Sequence, residues 1–201
     1  MNILTTLPLL TLLLANLIPV VGIYFYGWTI QTVVVSYWLE AGIQGFFGTI
    51  KLFRTQGSVS GKQTFSSKML TTLVKLPLIP LFLANYFIFL VIYGLLLYFL
   101  VGLDGVNLRL VFLTYSAFLV SYIASYYFNF IKDKEFKKIS PFKQLAEPYR
   151  RFGPIHLCIL LGVFASKVSG DFQSWVLILA FVKTVFDVGL HIQEHNDFSK
   201  T

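Results

Sequence analysis

Six runs of mostly apolar residues divide the chain, and each is long enough to cross a lipid bilayer as a helix. The runs cover residues 3–25, 29–50, 76–101, 108–131, 152–170 and 173–194. A membrane-crossing helix needs about 20 mostly apolar residues, and an open strand cannot cross because its backbone groups would stay unpaired. The pattern therefore predicts an all-α integral membrane protein, a bundle of about six transmembrane helices forming one domain over residues 1–201.

Two of the connections between these runs are long and basic. The connection at 51–75 holds five basic residues (Lys51, Arg54, Lys62, Lys68 and Lys75), and the one at 132–151 holds seven (Lys132, Lys134, Lys137, Lys138, Lys143, Arg150 and Arg151). Only Arg109 and Lys167 lie near the other three connections. Because Lys and Arg concentrate in cytoplasmic loops, we expect both long loops in the cytoplasm, and with six spans both termini as well.

Composition also favours a membrane protein. Apolar residues make up 56% of the chain and charged residues only 12%, whereas a soluble domain carries about 25% charged residues. The formal net charge is +7, but the basic residues flank the apolar runs. They therefore indicate a multi-pass protein of the cell membrane that attracts anionic lipids, rather than a protein that binds nucleic acid.

Small residues recur along two of the runs. Three glycines, Gly42, Gly45 and Gly48, fall at every third position of the second run. Gly162, Ser166 and Gly170 fall at every fourth position of the fifth. Such rows let helix backbones approach closely, which predicts tight packing within the bundle or in a homodimer.

Two acidic residues, Glu40 and Asp187, and two histidines, His156 and His191, lie inside the apolar runs. A carboxylate at the centre of a membrane helix costs at least ~2.5 kcal/mol, so such residues persist when they are paired, protonated or functional. At about 1.5 Å per residue, the predicted topology places all four in the cytoplasmic half of the membrane. The fifth and sixth helices are antiparallel neighbours, so we expect the two imidazoles to face each other.

Two hypotheses explain these four residues equally well. In the first, Glu40, His156, Asp187 and His191 hold a zinc or iron ion, for which imidazole and carboxylate are suitable ligands. In the second, the residues form a hydrogen-bonded network in which Lys183 neutralises Asp187 from one helical turn away, and Glu40 is protonated or bonded to a Tyr or Ser. Lys183 and Tyr37 are the supporting residues in either case. A b-type haem between the two histidines is a less favoured alternative.

The segment His191-Ile192-Gln193-Glu194-His195 matches the H-x-x-E-H pattern of some zinc proteases. A five-residue pattern with two free positions has little specificity. Glu194 and His195 are therefore weaker candidates for metal ligands.

Three segments, at 14–54, 151–164 and 182–195, contain recognisable motifs. They are Tyr37-Trp38-x-Glu40, Arg151-x4-His156 and Lys183-Thr184-x2-Asp187-x3-His191-x2-Glu194-His195. In this order they resemble an uncharacterised domain-of-unknown-function family of polytopic prokaryotic membrane proteins. The resemblance implies that the four ionisable residues belong to the family motifs, although Ala41 stands where the family often has Asn, and it implies no activity.

Three classes of function remain open at this point. The chain could be an enzyme acting on a lipid-soluble substrate at the Glu/His/Asp site. It could be a transporter or a proton or ion pathway that uses Glu40 and Asp187. It could also be a structural or assembly protein whose buried polar network fixes how the helices pack.

Overall fold

The computed structural model describes residues 3–58 and 65–199, and these ranges contain helices and no strand. The helices are α1 (Ile3–Tyr26), α2 (Ile30–Arg54), α3 (Phe65–Val101), α4 (Leu108–Ser125), α5 (Glu135–Lys138), α6 (Pro141–Ser169) and α7 (Phe172–Ser199). A π-helical segment, Tyr126–Lys132, continues α4.

The six long helices fall on the six apolar runs, but α3 and α6 begin eleven residues earlier than the runs do. The structure therefore has helix at 65–75 and 141–151, where the sequence predicts loop. Ser140 caps the start of α6, because its hydroxyl oxygen accepts from the backbone N–H of Lys143 at 3.4 Å. Hydropathy locates only the apolar part of a helix and misses such polar extensions.

Three segments of these helices are long and apolar enough to cross a membrane: Leu7–Tyr26, Met69–Val101 and Leu108–Lys132. Large apolar side chains lie exposed along α3, among them Phe87 at 66% and Phe99 at 78%. A soluble monomer rarely leaves a continuous apolar surface of this kind in water. The fold is thus an all-helical one suited to a membrane.

The six long helices close into a ring in the order α1, α4, α2, α3, α6 and α7. Helix α2 also contacts α6 and α7 across the ring, so its side chains reach the centre of the bundle. Buried apolar residues from several helices pack there, including Val33, Tyr37, Phe118 and Ile159.

The two ends of the bundle differ in charge. We call the end that bears residues 51–58, 132–151 and the start of α3 the basic end. There the backbone N–H of Gln56 donates to the carbonyl of Phe136 at 2.7 Å, and Arg150 donates to the Gln193 carboxamide at 2.9 Å. At the opposite end, the Thr29 hydroxyl donates to the carbonyl of Gly105 at 2.8 Å.

Close helix packing at the glycine row of α2 occurs within this chain. A Cβ atom added to Gly45 would lie 2.3 Å from the ring of Tyr86. That ring is held in place because its hydroxyl donates to the carbonyl of Ala41 at 2.8 Å. A Cβ added to Gly42 would meet nothing closer than Leu90, at 3.9 Å. The small residue at position 45 is thus needed for α2 to approach α3.

We expect Gly45→Ala to destabilise the bundle by about 1–3 kcal/mol, because the methyl group would overlap the fixed ring of Tyr86. The matched control is Gly42→Ala in the same helix, which should be neutral or stabilising by up to about 1 kcal/mol through helix propensity. Denaturant unfolding in detergent would measure both. Equal stabilities of the two variants would contradict this account of the α2–α3 contact.

Candidate functional site: a buried ion network

The Lys183 ammonium lies at the centre of a buried polar network. Its Nζ is 2.7 Å from Oδ2 of Asp187, one turn further along α7. Across the bundle, on α2, the same nitrogen lies 3.2 Å from Oε1 and 2.9 Å from Oε2 of Glu40. One ammonium therefore forms ion pairs with two carboxylates.

Asn16 of α1 completes the network. Its carboxamide oxygen accepts from Lys183 Nζ at 2.6 Å, and its Nδ2 donates to Asp187 Oδ2 at 3.1 Å. The same Nδ2 also lies 3.1 Å from the carbonyl of Leu12 in its own helix, which fixes the carboxamide orientation. An ammonium has three N–H donors, and Asp187, Glu40 and Asn16 use all three.

Two aromatic rings cover the ammonium. Lys183 Nζ lies 5.0 Å from the ring centroids of both Tyr37 on α2 and Phe118 on α4. At this distance the negative face of a ring attracts a cation, and more strongly where water is excluded. The predicted supporting residues Lys183 and Tyr37 thus both lie at the site, the lysine as its centre.

Burial of the network is nearly complete. The exposed fraction is 0% for Asn16, 1% for Glu40 and Asp187, and 3% for Lys183. Charged groups rarely lie so deep unless they are paired, because transfer out of water costs several kcal/mol per ion. The four residues come from α1, α2 and α7, so the polar contacts join three helices.

His156 lies apart from this network. Its imidazole stacks on the ring of Phe152, with centroids 3.8 Å apart, and meets the ring of Tyr93 edge-on at 4.2 Å. Its Nδ1 lies 2.5 Å from the carbonyl oxygen of Phe152, which makes Nδ1 the protonated nitrogen. In the described part of the chain its Nε2 has no hydrogen-bond partner.

The side chains of His191, Glu194 and His195 lie outside the described residues, although their backbone belongs to α7. The expected approach of His156 to His191 therefore stays a prediction.

Both the metal hypothesis and the network hypothesis place Glu40 and Asp187 in one site, and the fold brings the two residues together. Between the two carboxylates, however, lies the Lys183 ammonium. Over the residues that the structure describes, no three His, Cys, Asp or Glu side chains group as metal ligands would. Lys183 contacts Asp187 as the network hypothesis predicts. Glu40, which that hypothesis has protonated or bonded to a Tyr or Ser, instead lies against the same ammonium, and His156 lies outside the network.

Asn16 is the site residue that sequence reasoning missed as a participant. Its signal was present, because Asn16 is a polar residue in the middle of an apolar helix that otherwise has few polar side chains. The orientation of the Asn16 side chain could not be predicted, because the sequence does not show which face of α1 contacts α7.

This arrangement defines a class: a helical membrane-type protein whose bundle buries a lysine between two carboxylates. The family of unknown function DUF6498 matches residues 3–201, and the chain belongs to that family. The resemblance to an uncharacterised family is thereby confirmed. A search of curated proteins finds no match, and a search of solved structures also finds none.

We expect Lys183→Met to destabilise the protein by about 3–5 kcal/mol, because it leaves two buried carboxylates without their cation. Adding Asp187→Asn to that variant should recover part of the loss, since only one carboxylate then remains unpaired. The matched control is Lys167→Met at an exposed position of α6, which should change stability little. Denaturant unfolding checks all three, and a Lys183→Met variant as stable as the control would show that the network is not required for the fold.

Proposed function

We propose that the chain is a cell-membrane transporter or proton pathway, in which Glu40 and Asp187 hold an exchangeable proton and Lys183 is their fixed counter-ion. The observation that carries the proposal is the sharing of one ammonium by two carboxylates at 1–3% exposure. Ionisable residues deep in membrane bundles commonly mark proton relays and ion paths.

The charges of the network do not balance when all three groups are ionised. Two carboxylates and one ammonium leave a net charge of −1. A net charge in a water-excluded site is unfavourable, and one added proton removes it. The network is therefore suited to hold one proton, or to exchange that proton for a cation.

Glu40 is the better acceptor for this proton. Asp187 Oδ2 receives two strong contacts, from Lys183 at 2.7 Å and from Asn16 at 3.1 Å. Glu40 has the Lys183 ammonium alone, at 2.9 and 3.2 Å. Hydrogen bonds to a carboxylate stabilise its charged form, so these contacts favour Glu40 as the acceptor of the added proton.

We also propose how the helices are oriented in the bilayer. All six long helices span the bilayer, with the basic end and both termini in the cytoplasm. Arg150 and Gln193 join the start of α6 to the end of α7 at the basic end. Pro8, near the start of α1, lines a cavity there together with Arg151. The asymmetry of basic residues supports the orientation.

The proton-site proposal predicts a carboxylic acid that titrates inside the bundle. Infrared difference spectra between acid and alkaline pH should show the C=O band of a protonated carboxyl group, and Glu40→Gln should remove that band. Asp104→Asn, in an exposed turn at the opposite end, is the control and should keep it.

Proteoliposomes test the pathway itself. Proton flux through the wild type, followed with an entrapped pH-sensitive dye, should be lost in Glu40→Gln and kept in Asp104→Asn. A carboxyl band unaffected by Glu40→Gln, or unchanged flux in that variant, would reject the proposal and leave a structural role for the network.

Metal analysis separates this proposal from the metal-site hypothesis. A metal between Glu40 and Asp187 would have to displace the Lys183 ammonium, so we expect less than about a tenth of an equivalent of zinc or iron in protein never exposed to chelator. Chelator should then leave the melting temperature unchanged. Stoichiometric metal that is lost in both Glu40→Gln and Asp187→Asn would overturn the network interpretation.

A further inference from the structure

We propose that water enters the bundle from the basic end only, through a polar vestibule that leads to Glu40, with Gln44 and Tyr122 as positioning residues. The inference rests on the proposed proton site and adds the side of the membrane from which protons reach it. It assigns the vestibule as a water-binding site that connects that side to the network.

The vestibule is a crevice between α2, α4 and α6. Its polar lining consists of Gln44, Lys51, Tyr122, Ser125, Gln144, Glu147 and Arg151. Its volume is about 40 Å³, and one water needs about 10–15 Å³ of such space, so about three waters fit.

Two buried carboxamides in the lining require a hydrogen-bond donor. Oε1 of Gln44 and Oε1 of Gln144 are both buried without a partner in the described part of the chain. Flipping the Gln144 amide would not provide a partner for its oxygen, because its Nε2 donates to the Glu147 carboxylate at 2.8 Å and a flip would lose that bond. Water supplies the missing donors, and a polar cavity with several partners is the kind that holds it.

The vestibule leads toward the network. Gln44 stands one helical turn from Glu40 on α2, so the two side chains are neighbours on one face of the helix. Gln44 and Tyr122 of α4 both line the vestibule. Tyr122 and Arg151 also line a second, smaller cavity of about 20 Å³, together with the buried Ser121. Polar groups thus continue from the vestibule to the cytoplasmic side of Glu40.

The other side of the network is closed by apolar packing. Tyr37 and Phe118, the rings against Lys183, are 3% and 0% exposed. Both belong to one core cluster, whose members toward the opposite end include Val33, Val34 and Ile23. Ser36, on that side, is 0% exposed and donates to the carbonyl of Thr32 in its own helix at 2.7 Å. The site is therefore lined by polar groups toward the basic end and closely packed toward the other, where the Tyr37 hydroxyl is buried without a hydrogen-bond partner among the described residues.

Radiolytic hydroxyl-radical footprinting of the unaltered protein tests where the water lies. Radicals form from water and mark the side chains that touch it, so Tyr122 should take up label at least about ten-fold faster than Tyr37, which lies in the closely packed core. Equal labelling of the two tyrosines would overturn the proposal.

Cysteine labelling tests the side of entry. In a Cys158→Ser background, which removes the only native thiol, the matched variants are Ser125→Cys in the vestibule and Ser36→Cys in the closely packed core. An anionic, membrane-impermeant methanethiosulfonate should modify position 125 from the cytoplasmic face of inside-out vesicles at least about ten-fold faster than position 36, since a basic cleft attracts anions. Modification of position 125 from the opposite face only, or equal rates at both positions, would overturn one-sided entry.

The two proposals can fail separately. Labelling of Tyr122 and of position 125, together with a carboxyl band that Glu40→Gln leaves unchanged, would keep the vestibule and reject the proton site. Loss of the band in Glu40→Gln, with Tyr122 labelled no faster than Tyr37, would keep the proton site and reject the vestibule.

Discussion

The rest of the structure depends on the Lys183 ammonium finding three acceptors inside the bundle. An ammonium buried at 3% exposure without partners would be far more costly than one in water. Its partners Asn16 and Glu40 lie 167 and 143 residues away along the chain. Satisfying the lysine therefore fixes how α1, α2 and α7 are placed relative to one another, which apolar contacts between lipid-like side chains specify only weakly.

The same constraint explains why the helices differ in apolarity. Helix α3 contacts mainly α2 and α6 and exposes apolar side chains such as Phe87 on its outer face. A continuous apolar sequence is compatible with that position. Helices α2 and α7 point polar side chains inward, including Glu40 and Asp187, and their overall hydropathy falls accordingly. A hydropathy threshold thus selects segments of α1, α3 and α4 and passes over α2 and α7, which carry the three charged groups of the network.

The sequence predicts features that depend on the spacing of residues along a helix or on a charged residue that stands out in an apolar run. The apolar runs locate the long helices, the spacing of Lys183 and Asp187 predicts their pairing, and Glu40 stands out as a charge in an apolar run. The rotation of each helix about its axis, and the helices that it packs against, cannot be predicted from such patterns. Placement in the same half of the membrane groups His156 with the carboxylates, but rotation of α6 turns its imidazole toward Tyr93 and Phe152 instead. Asn16 was missed for the same reason.

The network also connects protonation to helix packing. A proton on Glu40 would weaken its attraction to Lys183, which is the polar link between α2 and α7. The link between α1 and α7 would persist, because Asn16 bonds to both Lys183 and Asp187. Proton occupancy would thus shift the preferred distance between α2 and the α1–α7 pair, and a ligand that favours one of two packings shifts the population toward it. Under the proposed function, the lysine shared by two carboxylates would join the three helices and let a proton on Glu40 alter their packing.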